Sequence, residues 1–334
     1  MTRRTTWEKD KDRSIFLRKT VEGMRVRLVG YTLRQLLCFV AVAEHGSITA
    51  AAEQLRVSPS AVSGAVDELE RVLRTQLTVR RRAHGVTLTT SGHDVLRRAR
   101  SLLDEAEDLE SRARDTGDDL RGPLMVGSYH TLAPTVLAEL LAAYTERHPG
   151  VDLDFVSGSQ ADLVDRLAGG ELDLAVVYDV ALPPTIQVHR LYQAAPQVVL
   201  PADHRLAQDE DQPLPLDLLA SEPFILLDLP PSRENTMTLF DHAGITPQVR
   251  FRTTDYELTR SLVGRGLGYS ILVQHPSSSL TWGGRPLTTR PLEPRPHPVG
   301  VCLAWDSNVR PSRRAEAMVD LARTLHGPAH GQRP

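Results

Sequence analysis

Arginine and serine side chains in the first hundred residues have the types and spacing that suit contacts with a polyanion. They are the consecutive Arg80, Arg81 and Arg82 and the upstream Ser58, Ser60 and Ser63. Guanidinium groups neutralise phosphates, and hydroxyl groups hydrogen-bond to them. The net charge also favours this part of the chain for contact with a polyanion: residues 1–100 carry 19 basic and 10 acidic residues, whereas residues 101–334 carry 20 basic and 32 acidic residues. The front of the chain is predicted to contact nucleic acid, and the acidic remainder to have a separate task.

A second set of side chains with binding chemistry follows predicted strands in the rest of the chain. The candidates that we predict for a ligand site are Ser128, Tyr129, His130, Thr131, Ser157, Tyr178, Val199, Leu227, Thr253 and Thr254, with Ser159, Asp179, Ser232, Arg233 and Gly268 nearby. In open α/β sheets, ligands bind at the carboxyl ends of strands, near helix amino termini. Clustered hydroxyls there suit a carboxylate or a similar small anion. N-capping alone explains hydroxyls such as Thr131, but it requires neither the imidazole of His130 nor the phenol of Tyr129.

Catalytic patterns are missing from the sequence. It contains no Gly-x-Ser-x-Gly elbow, phosphate-binding loop or Cys/His cluster with zinc spacing, and the glycines at 264–268 lie between a predicted helix and a strand. Cys38 and Cys302 lie in apolar runs, which favours buried thiols over a disulfide. We therefore predict no catalytic residue, no cofactor and no metal site. An enzyme with a two-lobed cleft would leave the first 115 residues without a purpose, and a redox-sensing regulator would need a second cysteine near Cys302.

The composition predicts a globular cytoplasmic protein. Mean hydropathy is −0.25, no run approaches the roughly 20 apolar residues of a membrane span, and the first residues lack the apolar block of a signal peptide. Residues 1–30 contain all three lysines and show no sustained apolar periodicity, so they are predicted to be disordered. A hypothesis follows that translation begins at Met24.

Three short helices are predicted between residues 33 and 73. Apolar residues recur at helical spacing in 33–40, 48–55 and 62–73, with Ser47 and Ser58 as N-caps. About three residues join the second helix to the third, and alanines at 50–52 permit close packing. A basic hairpin with a turn at Gly85 follows. A plain three-helix bundle has the same periodicity, but the hairpin and its arginines favour a helix-turn-helix with a wing.

The chain resembles the LysR-type transcriptional regulators in a series of ordered motifs. They are the run from Leu33 to Leu55, Ser58-Pro-Ser-Ala-Val-Ser, Leu88-Thr-Thr-Ser-Gly, Pro149-Gly-Val-Asp-Leu, Gly169-Gly-Glu-Leu-Asp-Leu-Ala-Val-Val, Leu200-Pro-Ala-Asp-His-Arg-Leu-Ala and Leu262-Val-Gly-Arg-Gly-Leu-Gly. The resemblance covers about residues 32–326. It implies a winged helix-turn-helix that binds promoter DNA, a helix that dimerises, a small-molecule effector domain and a tetramer.

The predicted recognition helix departs from the family pattern. The family usually has amide or basic side chains after its conserved serine, whereas this chain has Gly64, Ala65 and Asp67. Bidentate Arg, Lys, Asn or Gln discriminate bases in the major groove, so modest sequence specificity is expected here. The residues predicted to contact DNA are Arg34, Thr49, Arg56, Ser58, Ser60, Ser63, Gly64, Asp67, Arg71, Arg80, Arg81 and Arg82.

One long helix is predicted from Thr89 or Thr90 to about residue 116. Its seam has alternating spacings of four and three residues and consists of Val95, Ala99, Leu102, Ala106, Leu109 and Ala113. A heptad seam fits a second helix of the same kind, although an amphipathic helix packed on its own domain shows the same pattern. We predict a homodimer through this helix.

Alternating strands and helices after residue 122 predict two α/β lobes. The pattern βαβαβ over 124–178 indicates a parallel, doubly wound half, and a second series begins near Val198. The predicted domains are a disordered extension at 1–30, a winged helix-turn-helix at 31–88, a linker helix at 89–119 and an effector domain at 122–327. Within the last, lobe I covers about 122–194 and 297–327, and lobe II covers about 195–296. The fold class is thus an all-α winged helix-turn-helix with a long dimerisation helix, followed by an α/β domain like that of periplasmic binding proteins.

Taken together, the residues and the resemblance predict a DNA-binding transcriptional regulator controlled by a small effector between the lobes. Its predicted partners are double-stranded promoter DNA, the effector, a second copy of the chain and RNA polymerase.

Overall fold

The structure is a computed structural model that describes residues 20–21, 24–25, 30–81, 85–114, 120–208, 211–275 and 278–326. It divides into two units, residues 1–93 and 94–334. The predicted disorder of residues 1–30 falls mostly outside the described residues, apart from the short antiparallel strands β1 (Thr20–Val21) and β2 (Met24–Arg25). Among the described helices no single one could cross a bilayer. Together, the helices Leu33–His45 and Ile48–Gln54 are long and apolar enough for a membrane span by length and composition alone, but they meet at a bend of 120°.

The first unit contains three helices and a two-stranded wing. The elements are α1 (Leu33–His45), α2 (Ile48–Gln54), α3 (Pro59–Leu73), β3 (Thr78–Arg81) and β4 (Gly85–Leu88). Ser47 and Ser58 cap α2 and α3 as predicted, since their hydroxyls accept from backbone N–H groups three residues on. The core consists mainly of Phe39, Val62, Val66, Leu69 and Leu77.

Two glycines allow the wing to approach its neighbours closely. The backbone N–H of Val86 donates to the carbonyl of Gly46 at 2.7 Å, and a Cβ at Gly85 would lie 2.3 Å from that carbonyl oxygen. A Cβ at Gly92 would lie 2.1 Å from the carbonyl oxygen of Leu77. Glu70 of α3 accepts from the backbone N–H groups of Leu77 and Thr78, both at 2.8 Å. These contacts fix the wing beside α3.

The helix α4 (Thr90–Arg114) follows the wing and crosses from the first unit to the second. Thr89 caps it, because its hydroxyl accepts from the backbone N–H of Gly92 at 2.9 Å. The predicted start is therefore correct, and the predicted end near residue 116 lies outside the described residues. Among the seam residues, Leu102 and Leu109 are exposed in the single chain, whereas Ala99 is buried.

The first lobe of the second unit is a five-stranded sheet with helices. Its strands are β5 (Gly122–Tyr129), β6 (Val151–Gly158), β7 (Leu174–Tyr178), β8 (Ile186–Ala194) and β15 (Val299–Asp306), in the order β6-β5-β7-β15-β8. The first three strands are parallel, as the βαβαβ pattern predicts, and β15 pairs antiparallel with β7 and β8. The helices are a π-helical turn (Ala133–Leu137) that continues into α5 (Ala138–Arg147), then α6 (Gln160–Ala168) and α9 (Arg313–Leu325).

The second lobe contains the remaining strands and helices. They are β9 (Gln197–Pro201), β10 (Leu214–Pro215), a 3-10 turn (Leu216–Leu219), β11 (Pro223–Leu227), α7 (Ser232–His242), β12 (Gln248–Thr253), α8 (Tyr256–Val263), β13 (Ser270–Leu272) and β14 (Leu287–Glu293). The sheet order is β10-β14-β9-β13, and a parallel bridge from Tyr269 to Phe224 connects it to the pair β11-β12. The chain passes between the lobes after β8 and again after β14, so two crossovers border a cleft.

Candidate nucleic-acid interface and effector site

The exposed stripe of α3 holds the side chains that could enter a groove of DNA. Ser60, Gly64, Asp67 and Arg71 are exposed at intervals of three or four residues, opposite the buried Val62, Val66 and Leu69. Ser58 caps the helix and its hydroxyl lies 3.0 Å from that of Ser60. The stripe thus combines small polar side chains with one carboxylate and one guanidinium group.

Two predicted DNA-contacting arginines form ion pairs within the first unit. Arg80 of the wing binds Asp67 of α3, with 2.5 Å between Nη2 and Oδ1. Arg71 pairs with Glu68, which lowers the pKa of Glu68 because the guanidinium hydrogen-bonds to its carboxylate. Both pairs are exposed, so phosphates could displace the carboxylates. Asp67, however, reduces the positive charge that Arg80 presents.

Two further arginines of the predicted DNA interface are unpaired among the described residues. Arg34 and Arg56 are exposed and form no ion pair within the residues that the structure describes, and Thr49 is exposed on α2. Ser63 is partly buried, with its hydroxyl 3.4 Å from Oδ2 of Asp67. Arg81 ends β3, but its side chain and the whole of Arg82 lie outside the described part. All of these DNA contacts stay predictions.

Neutralising Asp67 should strengthen DNA binding. Asp67→Asn removes a negative charge from the recognition helix and frees Arg80 for a phosphate. We expect higher affinity for every DNA sequence and a dependence of log K on log salt that is steeper by up to about 0.9. Fluorescence anisotropy at several salt concentrations measures both. Glu53→Gln in α2 is the control, because it removes the same charge without freeing an arginine. Equal gains in the two variants would mean that net charge alone is responsible.

Hydroxyl groups converge on a small cavity between the two lobes of the second unit. Its volume is about 10 Å³, and its lining is Thr131, Tyr178, Leu227, Ser232, Thr236, Tyr256, Ile271, Leu272, Val273 and Gln274. About 10 Å³ accommodates a single water molecule. The lobes are therefore closed on each other.

Tyrosine hydroxyls hold this closed arrangement. Tyr129 at the end of β5 reaches the second lobe, where its hydroxyl donates to the carbonyl of Leu229 at 3.2 Å and lies 3.1 Å from that of Ser232. The hydroxyl of Tyr178 lies 3.2 Å from that of Thr131. Burial raises the pKa of Tyr129 to about 12 and that of Tyr178 still higher, so both phenols are neutral hydrogen-bonding groups.

Gln274 brings a third group of contacts to the cavity. Tyr192 donates to its Oε1 at 3.1 Å, and the hydroxyl of Tyr256 donates to its backbone carbonyl. Its buried Nε2 has no partner in hydrogen-bonding geometry. The Gln274 side chain lies close to Tyr178 and lowers the pKa of that phenol, against the larger effect of burial, which raises it. A buried amide donor of this kind suits a ligand oxygen.

The structure places the predicted ligand-site residues in three different surroundings. Thr131, Tyr178 and Leu227 line the cavity, and Tyr129 lies against it. Ser128 is buried with its hydroxyl donated to the carbonyl of Tyr129, and Val199 is part of the core. The remaining four predicted residues do not line the cavity: His130, Ser157, Thr253 and Thr254. Nδ1 of His130 lies 3.1 Å from the hydroxyl of Ser157. The hydroxyl of Thr253 accepts from the backbone N–H of Asp255, and Thr254 is exposed. Sequence reasoning did not identify Thr236, Tyr256 or Gln274.

Charged side chains pack α4 against the first lobe. Arg314 of α9 is 1% exposed, and its guanidinium lies 3.4 Å from Asp104, 3.8 Å from Glu107 and 3.1 Å from the carbonyl of Arg121. Arg100 donates to the carbonyl of Gly169 at 3.3 Å. Arg97 lies 3.7 Å from the buried Asp306.

These contacts and the seam occupy different faces of α4. At 100° per residue, positions 97, 100, 104 and 107 lie on one side of the helix, and positions 95, 99, 102, 106 and 109 lie on the opposite side. On the seam side Leu102 and Leu109 are exposed in the single chain, whereas Ala99 is buried and Leu109 borders a groove lined by residues 310–313.

A helix-turn-helix with a wing, joined by a long helix to a closed two-lobed domain, defines a ligand-responsive DNA-binding protein. Residues 33–93 match the bacterial regulatory helix-turn-helix proteins of the lysR family, and residues 117–326 match the LysR substrate binding domain. The chain belongs to the LysR family of transcriptional regulators. Such regulators bind promoter DNA and small-molecule effectors and form oligomers.

Known proteins similar to this chain span nearly all of its length. It is 28% identical over 303 residues to the transcriptional regulator YvbU of Bacillus subtilis, covering 89% of this chain and 99% of YvbU. It is 33% identical to a probable hydrogen peroxide-inducible genes activator of Streptomyces viridosporus, covering 82% of this chain and 88% of that one. The crystal structure of HinK, a LysR family regulator of Pseudomonas aeruginosa, is similar with a TM-score of 0.59 and 33% identity, covering 89% of this chain and 99% of HinK.

Proposed function

We propose that an effector enters the cavity between the lobes, opens it and thereby changes how the chain binds promoter DNA. The observation that supports this is the cross-lobe contact of Tyr129 with Leu229 and Ser232, together with the buried Nε2 of Gln274, which has no hydrogen-bond partner in the cavity wall. A ligand larger than water must separate these groups and replace their hydrogen bonds. Binding and lobe opening are then linked, as a population shift requires.

The ligand need not be the carboxylate that the clustered hydroxyls suggest. Two arginines on the helices that contribute to the cavity wall are already paired: Arg233 with Asp228 and Glu234, and Arg260 with Glu257. The cavity itself is lined by neutral groups among the described residues. An anion would therefore depend on hydroxyl, amide and backbone N–H donors, and a neutral oxygen-bearing ligand would use the same donors.

Control by thiol oxidation has less support than control by ligand binding. Burial raises the pKa of the Cys302 thiol to about 12, so the thiol is protonated at neutral pH and a weak nucleophile. The only other cysteine in the sequence is Cys38, in the first unit. We therefore assign the chain no redox step and no catalytic step.

Mapping the DNA that the protein occupies across its genome tests the function directly. We expect occupancy at a small number of promoters, and the neighbouring genes then suggest compounds for anisotropy titrations with the purified protein. Occupancy spread evenly over the genome, or DNA binding that no related compound changes, would contradict the proposal. We place this activity in the cytoplasm, because a bacterial promoter is found there.

We also propose that two copies associate through the seam of α4. Leu109 is 68% exposed in the single chain and lies on the face opposite Arg97 and Asp104. Pairing two such helices would bury these leucines and bring two recognition helices to one DNA site. Four copies, as the family resemblance implies, would use further surfaces.

Charges placed in the seam should dissociate the dimer. Leu102→Asp with Leu109→Asp would bury four carboxylates in a dimeric seam, which is strongly unfavourable without partners. We expect a shift to monomers in analytical ultracentrifugation and a loss of DNA affinity. Gln208→Asp with Gln212→Asp adds the same charge at exposed loop positions and serves as the control. A seam variant that sediments as the parent protein does would remove α4 from the interface.

A further inference from the structure

Gln274 presents a buried hydrogen-bond donor at the cavity between the lobes. The residue is 7% exposed and lines the cavity together with Tyr178. Its carboxamide has one accepting oxygen and two N–H donors. The oxygen, Oε1, accepts from the hydroxyl of Tyr192 at 3.1 Å, whereas the buried Nε2 has no hydrogen-bond partner. A buried amide nitrogen in this state is costly, so it favours an occupant that accepts a hydrogen bond.

Tyr192 fixes the orientation of this carboxamide. Half a turn about the last side-chain bond would exchange the oxygen and the nitrogen with little change in shape. The hydroxyl of Tyr192 donates to Oε1 and so directs Nε2 toward the opposite side. Burial raises the pKa of Tyr178, whereas the side chains of Thr131 and Gln274 lower it, which is the effect of an N–H group that faces the phenol oxygen. Both observations agree on a carboxamide that turns its donor end toward Tyr178, in the cavity wall.

The contact between Tyr192 and Gln274 lies beside the crossover between the lobes. Tyr192 is near the end of β8, and only residues 195–196 separate β8 from β9. Strand β13 pairs antiparallel with β9, with Leu272 opposite Gln197, so the chain that follows Leu272 runs toward the same crossover. Segments next to a crossover move least when two lobes separate. The carboxamide therefore keeps its orientation while a ligand enters.

The rest of the cavity wall discriminates less between ligand groups than this amide does. Its other polar side chains are hydroxyls, which can donate or accept, whereas Nε2 can only donate. A ligand amine at this position would set N–H against N–H and leave the donor unpaired. A site built for a hydrogen bond rejects such a ligand strongly. Leu227, Ile271 and Val273 supply apolar surface for the remainder of the molecule.

We propose that the carboxamide of Gln274, held in one orientation by Tyr192, restricts the effector to molecules that present an acyl oxygen on a compact hydrocarbon body. The acyl oxygen belongs to a neutral carbonyl or to a carboxylate, since both accept from Nε2 in the same way. Tyr192 is a positioning residue, because it acts through Gln274. The inference rests on the proposed function, since it concerns the same cavity.

Binding of three small probes to the full-length protein tests this preference. Cyclohexanone accepts hydrogen bonds without charge, cyclohexanecarboxylate accepts them with a negative charge, and cyclohexylammonium only donates. Dissociation constants come from ligand-observed NMR titrations. We expect the tighter acyl probe to bind at least tenfold more tightly than the ammonium, and to move the Nε2 proton resonances of Gln274 downfield in protein that contains isotope-labelled glutamine. Binding of the ketone alone would indicate a neutral effector, and binding of the carboxylate alone an anionic one; both support the proposal.

Variants separate orientation from simple packing. Tyr192→Phe keeps the ring and releases Oε1, so that either end of the carboxamide can face the cavity. The preference for the acyl probe over the ammonium should fall at least fivefold. Gln274→Met removes the donor at similar length and should lower the preference by a similar factor. Tyr269→Phe is the matched control, because it deletes another buried tyrosine hydroxyl that has no hydrogen-bond partner and does not line the cavity.

A purely structural role for Tyr192 would weaken all three probes equally and leave the preference unchanged, which would overturn the proposal. Equal affinity of the parent protein for the acyl probes and the ammonium would overturn it too, as would the absence of binding by either acyl probe at tens of millimolar. Failure of the proposed function gives a different result. If the probes bind with the expected preference but no compound changes promoter binding, the proposed function fails and the ligand preference stands. If a compound that carries only donor groups changes promoter binding, the ligand preference alone fails.

Discussion

Arg314→Leu is expected to lower the free energy of unfolding of the effector domain by about 2 kcal/mol at pH 8, less than the roughly 3 to 5 kcal/mol for breaking a fully buried pair, because Asp104 and Glu107 are 35% and 53% exposed. The guanidinium lies between Asp104 and Glu107 of α4 and the carbonyl of Arg121, with almost no exposure to solvent. Leucine replaces its volume but not its charge. The carboxylates and the carbonyl would then lose the guanidinium of Arg314 as a partner.

The loss of stability should increase with pH because of Asp173. Burial raises the pKa of this carboxyl, whereas the backbone N–H of Met125, Arg314 and Arg100 lower it. Without Arg314 the folded-state pKa rises further above the unfolded value. Folding then favours the protonated acid, and stability falls as the pH rises through the interval between the two pKa values. The variant should therefore differ from the parent protein less at pH 5 than at pH 8.

Urea unfolding followed by circular dichroism at the two pH values measures this effect. Arg323→Leu on the same helix is the matched control, because its pair with Asp320 is exposed and is expected to contribute less than about 1 kcal/mol. Equal losses in the two variants would show that Arg314 contributes through helix propensity alone.

Removing two hydroxyls from the cavity should abolish most of the effector response. Thr131→Val with Tyr178→Phe keeps the volumes and deletes both members of one hydrogen bond, so folding should change little. A ligand that uses these groups loses about 1 to 3 kcal/mol for each unpaired polar atom. We expect the effector concentration for half-maximal response to rise at least tenfold, with ligand-free DNA affinity within twofold of the parent.

The position of His130 makes it the control for this experiment. His130 is a predicted ligand-site residue whose imidazole N-capping does not require, but that imidazole is exposed beside Ser157 and does not line the cavity. His130→Ala should therefore respond nearly as the parent does. Anisotropy titrations of promoter DNA, with a compound that shifts binding of the parent protein, compare the variants. A strong loss in His130→Ala with normal behaviour of the double variant would move the site to the surface.

Local patterns in the sequence predicted the elements that have strong periodicity or capping residues. The helices at α1 to α3, the N-caps Ser47 and Ser58 and the strands β5 to β7 all follow from spacing and composition. Strands β8 and β14 were not predicted. The first has partly exposed polar residues such as His189 and Arg190 between apolar ones, and the second contains Arg290 and Pro291. Both pair with distant strands, so tertiary contacts determine them.

The sequence predicted only those cavity-lining residues that lie at or just after the carboxyl end of a strand. Thr131, Tyr178 and Leu227 were found in this way. Gln274 and Tyr256 reach the cavity from the region after β13 and from α8, and nothing in their local sequence indicates that they converge. Likewise, the burial of Arg314 depends on α4 packing against α9, which no spacing within α9 predicts.

Because the charged side chains and the seam lie on opposite faces of α4, the number of residues in this helix is constrained. One added residue between Leu102 and Asp104 would rotate the rest of the helix by 100° and turn Asp104 and Glu107 away from Arg314. The same rotation would take Leu109 out of register with Leu102, so both contacts would fail together. Seven added residues restore the rotation to within about 20° but lengthen the helix by roughly 10 Å. The seam should therefore tolerate whole heptads, whereas the charged face should tolerate no insertion at this point, because Arg97 and Arg100 would stay bound to the first lobe while Asp104 moved roughly 10 Å along the helix from Arg314.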